Sequence, residues 1–589
     1  MFRIRRIFDD VVPANRLALE QVGAILRSQF ELFDRQKVDR IPEALRYPFK
    51  HGFRSILFVA EVHRSTVRGL ALLEHDADLN FCYLDYLASD KRLAGRGVGG
   101  ALYARVRSEA LALGVSGVFF ECLPDDPKLC RDPEVLKQNR ARLKFYEAYG
   151  ARPIVNTAYE TPVHSGTDNP PYLLFDDLAQ GSVISRSYLQ RVMACILERK
   201  YADVCGPDYI RMVVDSVRDD PARLRPPRYA VDQTVEKRNA AIAANLAKIA
   251  LVVTDQHKIH HVKERGYVES PVRIKSIQQA LEPTGMFDPV LPTTFGDSWI
   301  TAVHDLEYVR YFKKVCKNAE PDTPLYPYVF PIRNRARPPA ALAIRAGYYC
   351  IDTFTPISGH AYVAARRAVD CALTGVNTLL SGRRIAYALV RPPGHHAERG
   401  FFGGFCYFNN AAIAAHHLSQ FGKVAMVDID YHHGNGQQDI FYRRKDVLTL
   451  SIHGHPRFAY PYFTGFADER GEGEGAGYNV NYPLPETIDA ADYLHTLRIA
   501  LARVREFGAT YLVVCLGLDT AKGDPTGTWN LVGQDFTTIG SEIGRLQTPC
   551  LVVQEGGYNN RSIGANAKCF FSGLRSGMDH QMRQQRMTL

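Results

Sequence analysis

The chain has 589 residues, 46% apolar and 23% charged, with a formal net charge of +9. That length exceeds a single hydrophobic core and predicts two or more domains of ordinary globular composition. Its Lys and Arg residues are dispersed, which argues against a nucleic-acid footprint, and no apolar run approaches the ~20 residues of a membrane-spanning helix.

The opening residues, M-F-R-I-R-R-I-F-D-D, are charged and lack the apolar centre of a signal peptide. Residues 80–102, N-F-C-Y-L-D-Y-L-A-S-D-K-R-L-A-G-R-G-V-G-G-A-L, read as a strand, a glycine-rich turn and a helix start. Gly95, Gly97, Gly99 and Gly100 let backbone amides face one cradle at a helix N-terminus, which suits a pyrophosphate; a plain tight turn is the competing reading. A helical stretch at 139–153 carries Asn139 and Tyr146. Residues 219–234 hold three prolines and three arginines, remove backbone donors and offer little to bury, so the domain boundary is expected there. A helical run follows at 235–247, and an apolar stretch at 248–254 opens a second α/β pattern.

In that second region short β-branched runs at 385–390, 424–430, 447–452, 511–518 and 550–554 alternate with segments of helical length such as 409–420 and 488–507. Continuous apolar strands separated by helices predict a parallel sheet covered on both faces. Such a sheet binds ligands at the carboxyl ends of its strands. The 12 cysteines form no C-x-x-C pair; Cys82, Cys122, Cys406 and Cys515 sit within apolar runs. They read as buried thiols of a reducing compartment, and a cytoplasmic protein is expected.

Four strand ends carry ligand-type groups. R-P-P-G-H-H supplies His395 and His396; D-I-D-Y-H-H-G-N-G supplies Asp428, Asp430, His432 and Asn435; G-L-D-T supplies Asp519; Q-E-G-G-Y-N supplies Tyr558. Asp430 and His432, two residues apart, can point to one side of the chain. With Asp519 they make a one-nitrogen, two-oxygen set with room for a fourth ligand, the arrangement of a catalytic zinc. His395, His396 and Tyr558 are of the types needed for a base, an acid and an oxyanion donor. His260, His261, His416 and His417 lack this context and read as surface or packing residues.

These motifs, together with G-F-C-Y-F-N-N, resemble those of the histone deacetylase family over about residues 250–570. The resemblance implies the arginase–deacetylase fold, zinc on Asp430, His432 and Asp519, and hydrolysis of an acetamide. It implies His396 as general base and then acid, oriented by Asn435; His395 held charged by Asp428; and Tyr558 stabilising the oxyanion. It also implies a structural potassium ion near Asp428, with backbone oxygens around Asp430 and His432 and with Ser451. Phe405 resembles a wall of the substrate tunnel, core packing being its alternative. A second D-x-D bridge, which the two-manganese arginases need, is missing after Asp519.

Residues 260–274, 346–357 and 455–475 resemble the acetylpolyamine amidohydrolase branch. The last segment carries Asp468, Glu469, Glu472 and Glu474, read either as an attractor for a cationic amine or as a solvated loop. Thr526 stands where some polyamine-selective relatives have an acidic gatekeeper. A small acetylated amine is the expected substrate, with a protein acetyl-lysine the rival. In the first region the turn Arg92-Leu-Ala-Gly95-Arg96-Gly97 and the 139–153 helix resemble the GNAT-type N-acetyltransferases. That resemblance implies acetyl-CoA bound by residues 92–100, Asn139 and Tyr146 near the thiol, Tyr146 as acid toward the leaving thiolate and Glu121 as a base, or else an acetyl-CoA sensor without turnover.

The expected organisation is therefore a GNAT α/β domain at 1–180, a helical and Pro-Arg linker at 181–248, the zinc deacetylase domain at 249–575 and a tail at 576–589. A homo-oligomer (dimer) is expected, with neither a nucleic-acid partner nor a membrane.

Overall fold

The structure is a computed structural model that describes residues 2–29, 35–47, 52–62, 66–90, 97–163, 169–229, 248–319 and 323–587. It divides into a first unit running through Ala247 and a second from Lys248 to Gln584. The helical run expected at 235–247 lies outside the described residues.

The first unit is built on a seven-stranded sheet: β1 (Arg3–Ile7), β2 (Arg54–Val62), β3 (Thr66–Asp76), β4 (Phe81–Ser89), β5 (Val118–Cys122), β6 (Arg152–Pro153) and β7 (Tyr172–Asp176), in the spatial order 1-2-3-4-5-7-6. All neighbours are antiparallel except β4 and β5. The two-residue period of the strands divides their apolar side chains between faces. Ile56, Phe58 and Ala60 pack with Val98, Leu102 and Val106 of the helix Val98–Leu113. Leu57 and Val59 pack with Ala18, Val22 and Leu26 of the helix Pro13–Gln29.

The linker expected at 181–248 is corrected over its described part. Leu189, Val192, Met193 and Ile196 of the helix Arg186–Lys200 pack in one cluster with Phe81, Phe119 and Phe175 of the sheet. Even the Pro-Arg stretch is held: Arg225 is buried and pairs with Asp125 and Glu147. Arginine there supplies a planar fork that two carboxylates can grip, which composition alone does not reveal.

The second unit is a wholly parallel eight-stranded sheet: β8 (Ile249–Val252), β9 (Phe287–Val290), β10 (Ile385–Ala388), β11 (Val424–Asp428), β12 (Val447–Gly454), β13 (Asn479–Leu484), β14 (Tyr511–Leu516) and β15 (Cys550–Gln554), in the order 13-12-11-14-15-10-8-9. Val427, Leu450, Val514 and Val552 of one face pack with Leu497, Ile539 and Phe570 of the helices Ala490–Phe507, Gly533–Gly544 and Ile563–Met587. The helices Ala361–Leu380 and Asn410–Leu418 also pack against the sheet. The last helix corrects the tail expected at 576–589: it runs on to Met587, and Met578 is core.

The strands expected at 385–390, 424–430 and 511–518 each stop two residues earlier, at Ala388, Asp428 and Leu516. There the chain leaves the ladder and its side chains become free to turn toward one rim. All twelve cysteines are free, and eleven are buried. Among the described residues no helix is long and apolar enough to cross a membrane.

Candidate metal and acid–base site

The four loops that follow β10, β11, β14 and β15 meet at the carboxyl ends of these adjacent strands. Asp430 and Asp519 are fully buried, and with His432 they bring one ligand atom each within 4.8 Å of one another. His432 Nδ1 lies 2.9 Å from Asp519 Oδ2 and 3.3 Å from Asp430 Oδ1. Corners of a tetrahedron with 2.0–2.2 Å bonds are about 3.4 Å apart, so the donor set has the size and chemistry of a zinc cradle. Two glycines make the room: a Cβ on Gly556 would stand 2.6 Å from both Asp430 Oδ2 and Asp519 Oδ2, and one on Gly517 would stand 2.1 Å from Asp430 Oδ2.

A second group, His395, Cys406 and Glu555, also lies within ligand distance. Burial pushes the Cys406 thiol well up, which keeps it protonated and a poor ligand. Asp430, His432 and Asp519 are the better cradle.

The tandem histidines face different partners. His395 Nδ1 lies 3.0 Å from Asp428 Oδ2. Burial alone would lower its pKa, but the Asp430 and Asp428 carboxylates raise it to about 10. His396 Nδ1 lies 2.7 Å from Asn435 Oδ1, a neutral acceptor. Burial, followed by the neighbouring His395 and His432, pushes His396 well below the usual imidazole range. One ring is thus held as a cation and its neighbour as a neutral base. The two rings are 4.0 Å apart.

Tyr558 stands on the same rim with its ring edge-on to Phe405 at 5.7 Å. Burial raises its phenol well above 10, so it is a donor at neutral pH. Phe405 has φ +68°, a left-handed conformation that is strained for a bulky residue. Its ring also meets Tyr267 and Phe354 edge-on. The preceding Gly404 (φ +55°) is required, because a Cβ there would lie 2.1 Å from His396 Cδ2.

Several site residues went unnoticed in the sequence. Arg273, from the helix Val272–Leu281, donates to the Gly557 and Glu555 carbonyls at 2.6 and 2.5 Å, with its guanidinium 4.6 Å from the Tyr558 ring centre. Asp524 Oδ2 accepts from the Tyr558 and Asn559 amides at 2.6 and 2.9 Å. Glu555 Oε2 accepts from the Gly394 and His395 amides at 2.6 and 3.1 Å. Tyr460 sets its ring edge against His396 at 4.7 Å and donates to Asp352 at 2.9 Å. The segments holding Arg273, Asp352 and Tyr460 carried a family resemblance, but no local spacing ties them to residues up to 284 positions away.

Three carboxylates of the 455–475 loop have partners of their own. Glu469 Oε2 accepts from Gln438, Thr464 and the Gly465 and Phe466 amides, Glu472 pairs with Arg443, and Glu474 with Lys445. Glu469 therefore braces the loop, while Glu472 and Glu474 form solvent-exposed pairs with Arg443 and Lys445 outside it. Thr526 bonds Asp524 within the turn that supports Tyr558. His260 and His417 are buried packing residues.

In the first unit, Arg92, Gly95 and Arg96 lie outside the described residues. Gly97 caps the helix Val98–Leu113 at φ +79°, and the Tyr149 hydroxyl donates to the Gly100 carbonyl at 3.1 Å; among the described residues no atom would crowd a Cβ on Gly97 or Gly99. Tyr146 lies in an aromatic cluster with Tyr103, Phe120 and Phe145. Asn139 is two helical turns away, about 10 Å along the axis. It is fully buried and donates to the Pro124 carbonyl at 2.9 Å. Glu121 accepts from the Tyr159 and Tyr201 hydroxyls, each at 2.7 Å.

Residues 267–574 match the histone deacetylase domain family. The chain is similar to acetylpolyamine amidohydrolase 2 of Pseudomonas aeruginosa, with 39% identity over 329 residues, 54% of this chain and 96% of the relative. It is 41% identical to the acetylpolyamine amidohydrolase of Burkholderia pseudomallei over 326 residues, 54% of this chain and 96% of the relative. A crystal structure of the acetylpolyamine aminohydrolase from Burkholderia pseudomallei superposes with a TM-score of 0.53 at 37% identity, covering 56% of this chain and 99% of that one.

Proposed function

The chain belongs to the histone deacetylase family, and from that premise we propose that its second unit is a zinc-dependent amidohydrolase acting on small acetylated amines of the acetylpolyamine kind. The observation that carries this reading is the convergence of Asp430, His432 and Asp519 beside a neutral His396 and the Tyr558 phenol. Zinc, when bound, supplies Lewis acidity toward the acetyl carbonyl and makes water more acidic. His396, its Nδ1 bonded to Asn435, leaves Nε2 to take the proton of the attacking water as the new C–O bond forms. Tyr558 donates a hydrogen bond to the oxyanion developing on the carbonyl. His396 then returns the proton to the departing amine as the C–N bond breaks. The His395 cation, anchored on Asp428, stabilises the negative charge that accumulates. Phe405 walls the substrate channel, and a structural potassium ion beside Asp428, with Ser451 among its ligands, belongs to the same reading.

Turnover of acetylputrescine and acetylspermidine by the zinc-loaded chain, measured against an acetyl-lysine peptide, tests the substrate class. Faster hydrolysis of the acetylated polyamines is expected. Equal or faster hydrolysis of the peptide replaces them with a protein acetyl-lysine substrate.

For the first unit we propose an acetyl-CoA-dependent N-acetyltransferase. Its support is the parting of β4 from β5. They pair only at Cys82–Val118 and Tyr83–Phe119, although β4 continues to Ser89 and β5 to Cys122. The facing edges leave backbone groups for an amide-bearing arm to bond, with Gly97, Gly99 and Gly100 beyond them for the phosphates. Glu121 sits on the diverging part of β5, its pKa raised by burial, which suits an amine base. Acetyl-CoA binding by calorimetry, then amine-dependent thiol release, tests this reading. Absence of binding removes it, and binding without thiol release makes the unit a sensor.

A further inference from the structure

Behind the His396–Asn435 pair stands a half-buried carboxylate, Glu398, two residues along the same loop. Asn435 Nδ2 donates to Glu398 Oε1 at 2.8 Å and to the His396 carbonyl at 3.2 Å, while Asn435 Oδ1 lies 2.7 Å from His396 Nδ1. A primary amide has one donor end and one acceptor end, and an ionised carboxylate only accepts. Two acceptors on the Nδ2 side therefore allow one orientation of the amide. Its oxygen must face the ring, so Nδ1 must carry the hydrogen and Nε2 the lone pair. Turning the amide over would set Oδ1 against a carboxylate and a carbonyl, and would present a donor to His396 that selects the opposite tautomer.

We propose that Glu398 is a positioning residue that sets the tautomer of His396 through Asn435. The inference rests on the amidohydrolase reading for its effect on turnover, but the tautomer itself is a property of this chain.

Burial and the Asp439 carboxylate raise Glu398 to about 7, against the pull of its bond from Asn435. The other charged or titratable groups around it are Arg399, whose amide donates to Asp439 at 2.8 Å; Asp305 and Arg335, which also act on Asp439; and His304, bonded to the Glu398 carbonyl at 2.8 Å. Below about pH 7 Glu398 gains a proton and can donate, and the lock on the amide weakens.

The test uses the full zinc-loaded chain with nitrogen-labelled histidine, the His396 signals being assigned by His396→Gln. At pH 8 the wild type is expected to show Nδ1 protonated and Nε2 bare. Glu398→Leu is expected to shift His396 toward the other tautomer and to lower kcat about 10–100-fold, with KM within about twofold. Glu398→Gln, which both accepts and donates like the protonated acid, is expected to give at pH 8 the tautomer balance and kcat that the wild type shows below pH 7. Its pH–rate profile is expected to lose the inflection near 7. An unchanged tautomer and kcat in Glu398→Leu would falsify the proposal, and so would an unaltered pH profile in Glu398→Gln. The second criterion stands even if the leucine variant does not fold. A tautomer shift in a chain that hydrolyses no acetylated amine supports the positioning role and removes the amidohydrolase reading instead.

Discussion

At the scale of single residues, the site assigns opposite charge states to two adjacent histidines by the partner each one meets. Asp428 is an anion and Asn435 is not, and that difference, within one low-dielectric pocket, holds His395 charged and His396 neutral. In the proposed mechanism Tyr558 acts through one hydroxyl, at a position fixed by Arg273 against its ring and by Asp524 against its amide. Tyr558→Phe keeps the ring and its packing on Phe405 but removes the donor. It is expected to reduce kcat for acetylputrescine by about 10²–10³-fold, with KM nearly unchanged. Steady-state kinetics at saturating zinc checks this, and a loss confined to KM would contradict the assigned role.

Elements matter here through where they end. β10, β11, β14 and β15 are apolar up to their last residues, where β11 ends on Asp428 and β15 on Gln554, so four short strands deliver the site from their ends while their apolar residues stay in the core. The glycines after β14 and β15 are spaces rather than hinges. Gly556→Ala puts a methyl group 2.6 Å from a carboxylate oxygen of each cradle aspartate. It is expected to lower zinc occupancy at least tenfold in a competition titration with a chelator, while the thermal unfolding of the first unit stays as in wild type.

In the first unit, β3 carries a carboxylate with a different consequence. Burial raises Glu74 from 4.5 to about 7, against the nearby Lys200. Between those values the unfolded chain releases this proton before the folded one does. Stability is therefore fully present below pH 4.5 and declines as pH rises toward 7. At 1.36 kcal/mol per unit the decline is about 3 kcal/mol. Glu74→Gln removes it, so the difference in unfolding temperature between variant and wild type is expected to grow from pH 5 to pH 8. A constant difference would refute the assignment.

For the molecule as a whole, the activities proposed for the two units would rest on different chemistry, which experiment can separate. Removing metal with a chelator is expected to abolish hydrolysis of acetylated amines, with recovery on adding zinc. On the reading proposed for the first unit, acetyl-CoA binding by the same sample, read by calorimetry, is expected to survive this treatment, because Asp430, His432 and Asp519 all belong to the second unit. Loss of acetyl-CoA binding on chelation would show that the units do not act independently.

The convergence of Asp430, His432 and Asp519 was legible in the residues because strand-end motifs are local: D-I-D-Y-H and G-L-D-T carry these side chains within a few positions, and β-branched runs announce the strands that hold them. The parallel sheet was legible for the same reason, since strands buried on both faces must be apolar throughout. The positions that support the site were not legible. Arg273 reaches carbonyls 282 and 284 positions away, and Asp352 meets Tyr460 across 108. Composition also gave no partner for Arg225 of the Pro-Arg stretch or for Glu469 of the acidic loop, which meet Asp125 and Gln438 from distant parts of the chain. Spacing along a chain fixes which groups can share a turn; long-range packing alone decides which buried charge finds its partner, and so which carboxylates remain free to act.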